Sequence, residues 1–119
     1  PDPDVREQAL YTLLLEWQDS RFRGRAIDVL RSDPEPRVRS TAVFGIAQVS
    51  TPTTRREDTS ILLGRLLDPT EDQLVREDAY RALLLMHSRP DRDAFLSIGN
   101  VDLGRDLDWE WIRSLAAQL

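Results

Sequence analysis

The sequence predicts an all-α fold assembled from a repeated helix pair, and three observations carry that expectation. The pattern Val-Arg-x-x-Ala-x-x-x-Leu/Ile occurs at Val5, Val38 and Val75, at intervals of 33 and 37 residues. Such a window arises by chance with a probability of about 10⁻⁴ at ordinary residue frequencies, so three copies in so short a chain mark an internal repeat. The second observation is spacing. Positions 0, 4 and 8 of each copy (Val5, Ala9, Leu13; Val38, Ala42, Ile46; Val75, Ala79, Leu83) fall on one side of an α-helix. The third is the lack of any apolar/polar alternation that would read as a strand.

The elements follow in order. The first repeated helix is expected over 4–17. A partner helix over 20–31 carries Phe22, Ala26, Ile27 and Leu30 on one face. The second repeated helix spans 35–49. Asp-Pro pairs at Asp2, Asp33 and Asp68 precede the three copies, and they suit helix entry. The Asp side chain accepts from free amides, and Pro in the first turn loses no hydrogen bond. STPTTRR, 50–56, is turn-rich and reads as a surface loop. A second partner helix over 58–67 places Ile61, Leu62, Gly64, Leu66 and Leu67 on one face, and the third repeated helix spans 71–88. The repeats are thus about 1–17 (partial), 19–49 and 57–88, within a single domain of residues 1–119. The last thirty residues break the pattern and read as a cap over 89–119. They hold a short helix over 91–97, a loop, and a final helix in DWEWIRSLAAQL capped by Asp106 or Asp108.

Composition bounds the function. Hydrophobic residues make up 40% and charged residues 31%, which suits a folded, well-solvated protein. The net charge of −5 argues against a nucleic-acid partner, which needs a basic field. The acidic excess sits mainly beyond residue 89, and every basic residue other than His87 is Arg. A GC-rich genome explains that Arg usage as well as function does, and a bacterial source is expected. No apolar run approaches the roughly 20 residues that span a bilayer. The acidic start is not a signal peptide, and with no cysteine a cytoplasmic location is expected. The chain does not begin with Met, so a fragment of a longer protein, or a processed one, is expected.

A two-helix unit cannot bury its apolar face alone, so copies stack and share a core. On the Asp, Val-Arg, Ala and Leu positions just described, residues 2–88 resemble HEAT repeats in the short, bilin-lyase-type HEAT-like form. The ankyrin and tetratricopeptide signatures are missing. The resemblance implies a right-handed α-α superhelix, an α-solenoid of antiparallel helix pairs related to armadillo-like helical folds. It further implies that the Arg of each repeat bonds across to the turn of an adjacent unit. The family's six-residue Asp-to-Arg separation occurs from Asp33 to Arg39, is stretched to eight from Asp68 to Arg76, and is missing from the first copy. Asp33, Arg6, Arg39 and Arg76 are thereby assigned to a structural ladder.

Catalytic patterns are not found. His87 is the sole histidine, no Cys can assist it in holding a metal, and no His-Glu pair is present for the iron-binding branch of HEAT-like proteins. Phosphate-cradling glycine loops are missing, and no Ser stands in an elbow context. Gly24, Gly45 and Gly64 lie inside helices, where close packing is the expected reason. The paired carboxylates Glu57-Asp58, Glu71-Asp72 and Glu77-Asp78 lie mostly at helix starts, where they complement the dipole. HEAT-like DNA glycosylases show that the fold can host chemistry, but they use a basic concave face, and this chain is acidic. No cofactor and no enzymatic activity are expected.

The expected function is a protein-protein interaction scaffold working through the concave face of the repeated helices. Positions 2, 6, 9 and 10 of each copy point away from the shared stripe. They nominate Glu7, Tyr11, Phe44, Gln48, Glu77 and Arg81 as protein-binding residues, with aromatic and Arg side chains the most productive types. Leu14, Leu15, Leu84 and Leu85 fall on that face too, but packing on neighbours accounts for them. Trp109 and Trp111, two apart, face roughly opposite sides of the last helix, as a cap or as a second binding surface. Exposed repeat ends offer a route to self-association. The alternatives are an accessory module of a lyase that attaches a chromophore, or of another enzyme complex, and a small acidic inhibitor or immunity protein.

Overall fold

A computed structural model describes residues 2–89 and 102–119 of the chain. The expected helix over 91–97 lies outside the described residues. Helix α1, Pro3–Leu10, continues into a π-helical turn, Tyr11–Glu16. A 3₁₀ turn, Ser20–Phe22, leads into α2, Arg23–Ser32. Then come α3, Pro36–Val49, α4, Arg55–Leu67, and α5, Gln73–Met86. The final helix, α6, spans Trp109–Ala117. No strand occurs among the described residues.

The helices pack together as stacked pairs, as helical repeats do. α2 packs along α3 and α4 along α5, while α1, α3 and α5 lie side by side in chain order. Apolar spacing is the cause. Val38, Ala42 and Ile46 on α3 and Val75, Ala79 and Leu83 on α5 are fully buried, facing a core shared with Leu30, Leu62 and Leu66. α6 packs on α4 through Ile112 and Leu115.

Local chemistry sets the boundaries. The side chain of Asp2 accepts from the Asp4 amide, that of Asp72 from Leu74 and that of Asp108 from Trp111, each satisfying a free N–H of a first turn. Of the two caps expected for α6, Asp108 serves. Pro36 occupies the first turn of α3. α4 begins at Arg55 rather than 58, because Thr51 and Thr54 close the loop with mutual hydrogen bonds and release the chain to helix earlier.

Three sequence expectations about faces are corrected. Val5 is 58% exposed, so the first copy's stripe is not in the core. On α4 the buried face is Leu62, Leu63 and Leu66, whereas Gly64 and Leu67 are exposed. Close packing explains only Gly45. A Cβ there would lie 2.7 Å from Leu14 Cδ1, but at Gly24 and Gly64 it would meet nothing within 4 Å.

Candidate functional site

The repeat arginines build an inter-repeat ladder. Arg6 of α1 donates to both carboxylate oxygens of Asp33, from Nε at 2.7 Å and Nη2 at 3.0 Å. Arg39 of α3 donates from Nη1 to the Asp33 carbonyl and from Nη2 to Glu71 Oε1, each at 2.7 Å. Arg65 adds a second cation to Glu71 at 3.3 Å. Arg76 of α5 donates from Nε to the Leu66 carbonyl at 2.8 Å. The Arg6 and Arg39 bonds tie a repeated helix to the turn that precedes its own or the next repeated helix, whereas Arg76 ties α5 to the last turn of α4. Charge follows geometry. The Arg6 hydrogen bonds hold the Asp33 carboxyl below its usual range. Burial pushes Glu71 up, but the Arg39 bond, the Asp72 amide and the neighbouring cations bring it below its usual value.

The acid that receives Arg39 is Glu71, not Asp68. Asp68 instead accepts from the amide and hydroxyl of Thr70. The sequence named no acid for Arg39 in the turn before α5, and Glu71, three residues beyond the Asp-Pro pair, is the one placed to receive it. A further buried pair went unnoticed in the sequence. Arg23 of α2 donates from Nε to Asp58 Oδ1 at 2.8 Å, and Thr54 donates to the other oxygen at 2.7 Å. Nothing in the sequence pairs residues 35 apart, so this contact needed the stack itself.

The nominated contact residues divide. Tyr11 is 46% exposed at the start of the π-helical turn, and Phe44, at the same register on α3, is half-buried against the core. Gln48 is exposed and accepts from Gln18 Nε2 at 3.1 Å. Glu7 stands 3.6 Å from Arg37 Nε, whose Nη2 pairs with Asp4 at 2.6 Å. Asp4, Glu7, Gln8, Tyr11 and Arg37 line a polar groove of about 490 Å³ between α1 and α3. Arg81 and Glu77 are placed differently from the sequence expectation: both are buried, at 7% exposure. Arg81 Nη1 pairs with Asp78 at 2.8 Å one turn away. Burial raises the Asp78 carboxyl above its usual range against the opposing Arg81 bond. Leu84 is fully buried as well, so the open part of this face lies on α1 and α3.

Trp17 is the residue that sequence reasoning missed. It closes the π-helical turn, is 67% exposed, and precedes Gln18, whose φ of 51° ends the helix in the left-handed region. Its place just beyond the repeated stripe was the available signal.

At the other end, Trp111 packs edge-on against Tyr80 and His87, at 6.3 and 5.9 Å between ring centres. The Arg89 guanidinium lies 4.6 Å over its ring and pairs with Asp108 at 2.9 Å. Trp109 donates its indole N–H to the Leu103 carbonyl at 3.0 Å. His87 Nε2 lies 2.9 Å from the Thr59 hydroxyl. Burial, together with the charge of Arg55, keeps its pKa below the usual value. Among the described residues there is no cluster of three or more His, Asp or Glu able to hold a metal ion, and no helix long and apolar enough to cross a membrane.

No curated protein and no solved structure matches the chain. A family model described as HEAT repeats matches residues 1–84, the span that contains all three copies of the pattern and the Arg ladder. The chain belongs to the HEAT-repeat family.

Proposed function

We propose that this chain is a non-catalytic protein-interaction module whose contact surface is the ridge formed by α1, its π-helical turn and α3. The observation that supports it is the placement of exposed aromatics there. Tyr11 and Trp17 are large, amphipathic and open to solvent, the side-chain type that most often dominates interface energy. Phe44 and Gln48 extend the ridge onto α3, and Glu7 with Arg37 gives it a polar rim. HEAT repeats commonly mediate protein-protein interaction. Arg6, Arg39, Arg76 and Asp33 serve the stack, and Arg81 and Glu77 lie beneath the surface.

The test compares the native chain with a Tyr11→Ala/Phe44→Ala double variant as affinity baits, followed by quantitation of purified partner. A partner held by the native chain and lost by the variant, with an unchanged helical CD spectrum, supports the ridge. Equal capture by both would move the contact surface elsewhere, and loss of folding would place the two rings in the core.

A further inference from the structure

The two interior copies of the repeat show what covers a stripe of this kind. α2 packs along α3 and α4 along α5, and the Val, Ala and Ile/Leu of those stripes are fully buried. The covering helices present one apolar triplet at i, i+1 and i+4: Ala26, Ile27, Leu30 on α2 and Leu62, Leu63, Leu66 on α4, all buried. α1 carries the same stripe, yet Val5 and Ala9 are exposed and Leu13 is only half-buried. Beside it runs an apolar groove of about 320 Å³, walled by Val5, Ala9, Leu10 and Leu13 of the first helix and by Arg25 and Val29 of α2.

We propose that this groove docks one amphipathic α-helix of a separate polypeptide, apolar at i, i+1 and i+4 and acidic on the flank that meets Arg25. The fit argument is the repeat itself. The same small residue, Ala9, stands where Ala42 and Ala79 let a helix approach closely. The charge argument is Arg25, exposed at the groove edge and without an acidic partner among the described residues. In a second copy the triplets of α2 and α4 are already in its core, which leaves only its own α1 stripe to compete for the groove. The groove uses the α2 side of α1, and neither Tyr11 nor Arg37 lines it, so it is independent of the ridge.

A synthetic peptide of residues 55–68, the α4 sequence with equal numbers of Arg and acidic residues, is the probe, titrated to millimolar concentration because so short a helix is marginal alone. Amide resonances of the ¹⁵N-labelled chain should shift at Val5, Ala9, Leu13, Arg25 and Val29. Affinity should fall at least about ten-fold, a loss of about 1.4 kcal/mol, with Ala9→Glu or Val5→Asp in the chain, both solvent-facing substitutions. A Leu62→Asp peptide should fail likewise. The proposal is overturned by silent groove amides at saturating peptide, by binding indifferent to Ala9→Glu, or by shifts confined to Tyr11 and Phe44. A concentration-dependent dimer in sedimentation that Ala9→Glu abolishes would make a second copy the occupant and overturn it too.

Discussion

Single atoms decide how closely the repeats approach, and the glycines show it. Gly45 is the point where α3 meets the π-helical turn that follows α1. A methyl group there would stand 2.7 Å from Leu14 Cδ1 and 2.9 Å from Leu14 Cβ, and the second atom cannot swing away. Gly45→Ala is expected to destabilise by about 1–3 kcal/mol through overpacking, despite its better helix propensity. Gly64 sits in mid-helix on α4 with open space above it, so Gly64→Ala should stabilise by about 0.5–1 kcal/mol. Urea melts of the two variants should move in opposite directions. His87 tests the other end. Its folded pKa is depressed by burial and by Arg55, so the unfolded chain takes up the proton first as pH falls. The neutral histidine therefore contributes full stability above 6.5, its usual pKa, and that contribution is lost as pH drops below it. Melting temperature should decline from pH 7 to 5, and His87→Gln should flatten that decline. Asp33 and Glu71 lose stability only at lower pH because their carboxyls are depressed, and the raised Asp78 carboxyl opposes the decline equally in both chains, so the comparison with His87→Gln isolates the histidine.

Helices pair through turns, and the Arg ladder joins one turn to the next. Glu71 receives Arg39 from one repeat and Arg65 from its own, and its side chain is almost fully buried. Glu71→Gln keeps the shape and removes the charge shared by two guanidinium groups. It should cost about 1.5–3 kcal/mol, the range for hydrogen bonds to charged groups, measured by chemical denaturation. Asp68→Asn should cost less, because Asp68 serves only its local turn with Thr70. That contrast marks what the sequence could convey. Helix identity and order were legible because period and Asp-Pro punctuation are local, and the resemblance only grouped Arg6 and Asp33 without pairing them, the bond between them being seen in the structure. The placing of Glu71 to receive Arg39 depends on the path of one turn, and Arg23 with Asp58 on how two helices meet across the stack. The open face was legible at Tyr11 but not at Arg81, since register says where a residue points and not what has come to lie over it. Trp17 escaped because a π-helical turn breaks the spacing on which the reading relied.

A stack of repeats is nearly one-dimensional, so each helix pair is held by its neighbours and the ends need covers. At the C-terminal end that cover is Trp111. It meets Tyr80 and His87 of the third repeat, lies under Arg89, and sits in the first turn of a helix whose cap, Asp108, gives its amide proton to the Tyr80 hydroxyl at 3.1 Å. Trp111→Ala removes three ring contacts at once. Because the ring is partly exposed, the expected loss is about 2–3 kcal/mol, at or below the low end of aromatic truncations. The distribution of that loss matters more than its size. If stability is a sum of nearest-neighbour contacts, hydrogen exchange should accelerate in α5 and α6 first, next in α4, and least in α1, whose contacts with α3 are untouched. Uniform acceleration across all helices would instead mean that the 119 residues open as one cooperative unit. The N-terminal end supplies the internal control. With Val5 and Ala9 uncovered, α1 should exchange fastest of the repeated helices in the native chain, and Trp111→Ala should leave that rate unchanged.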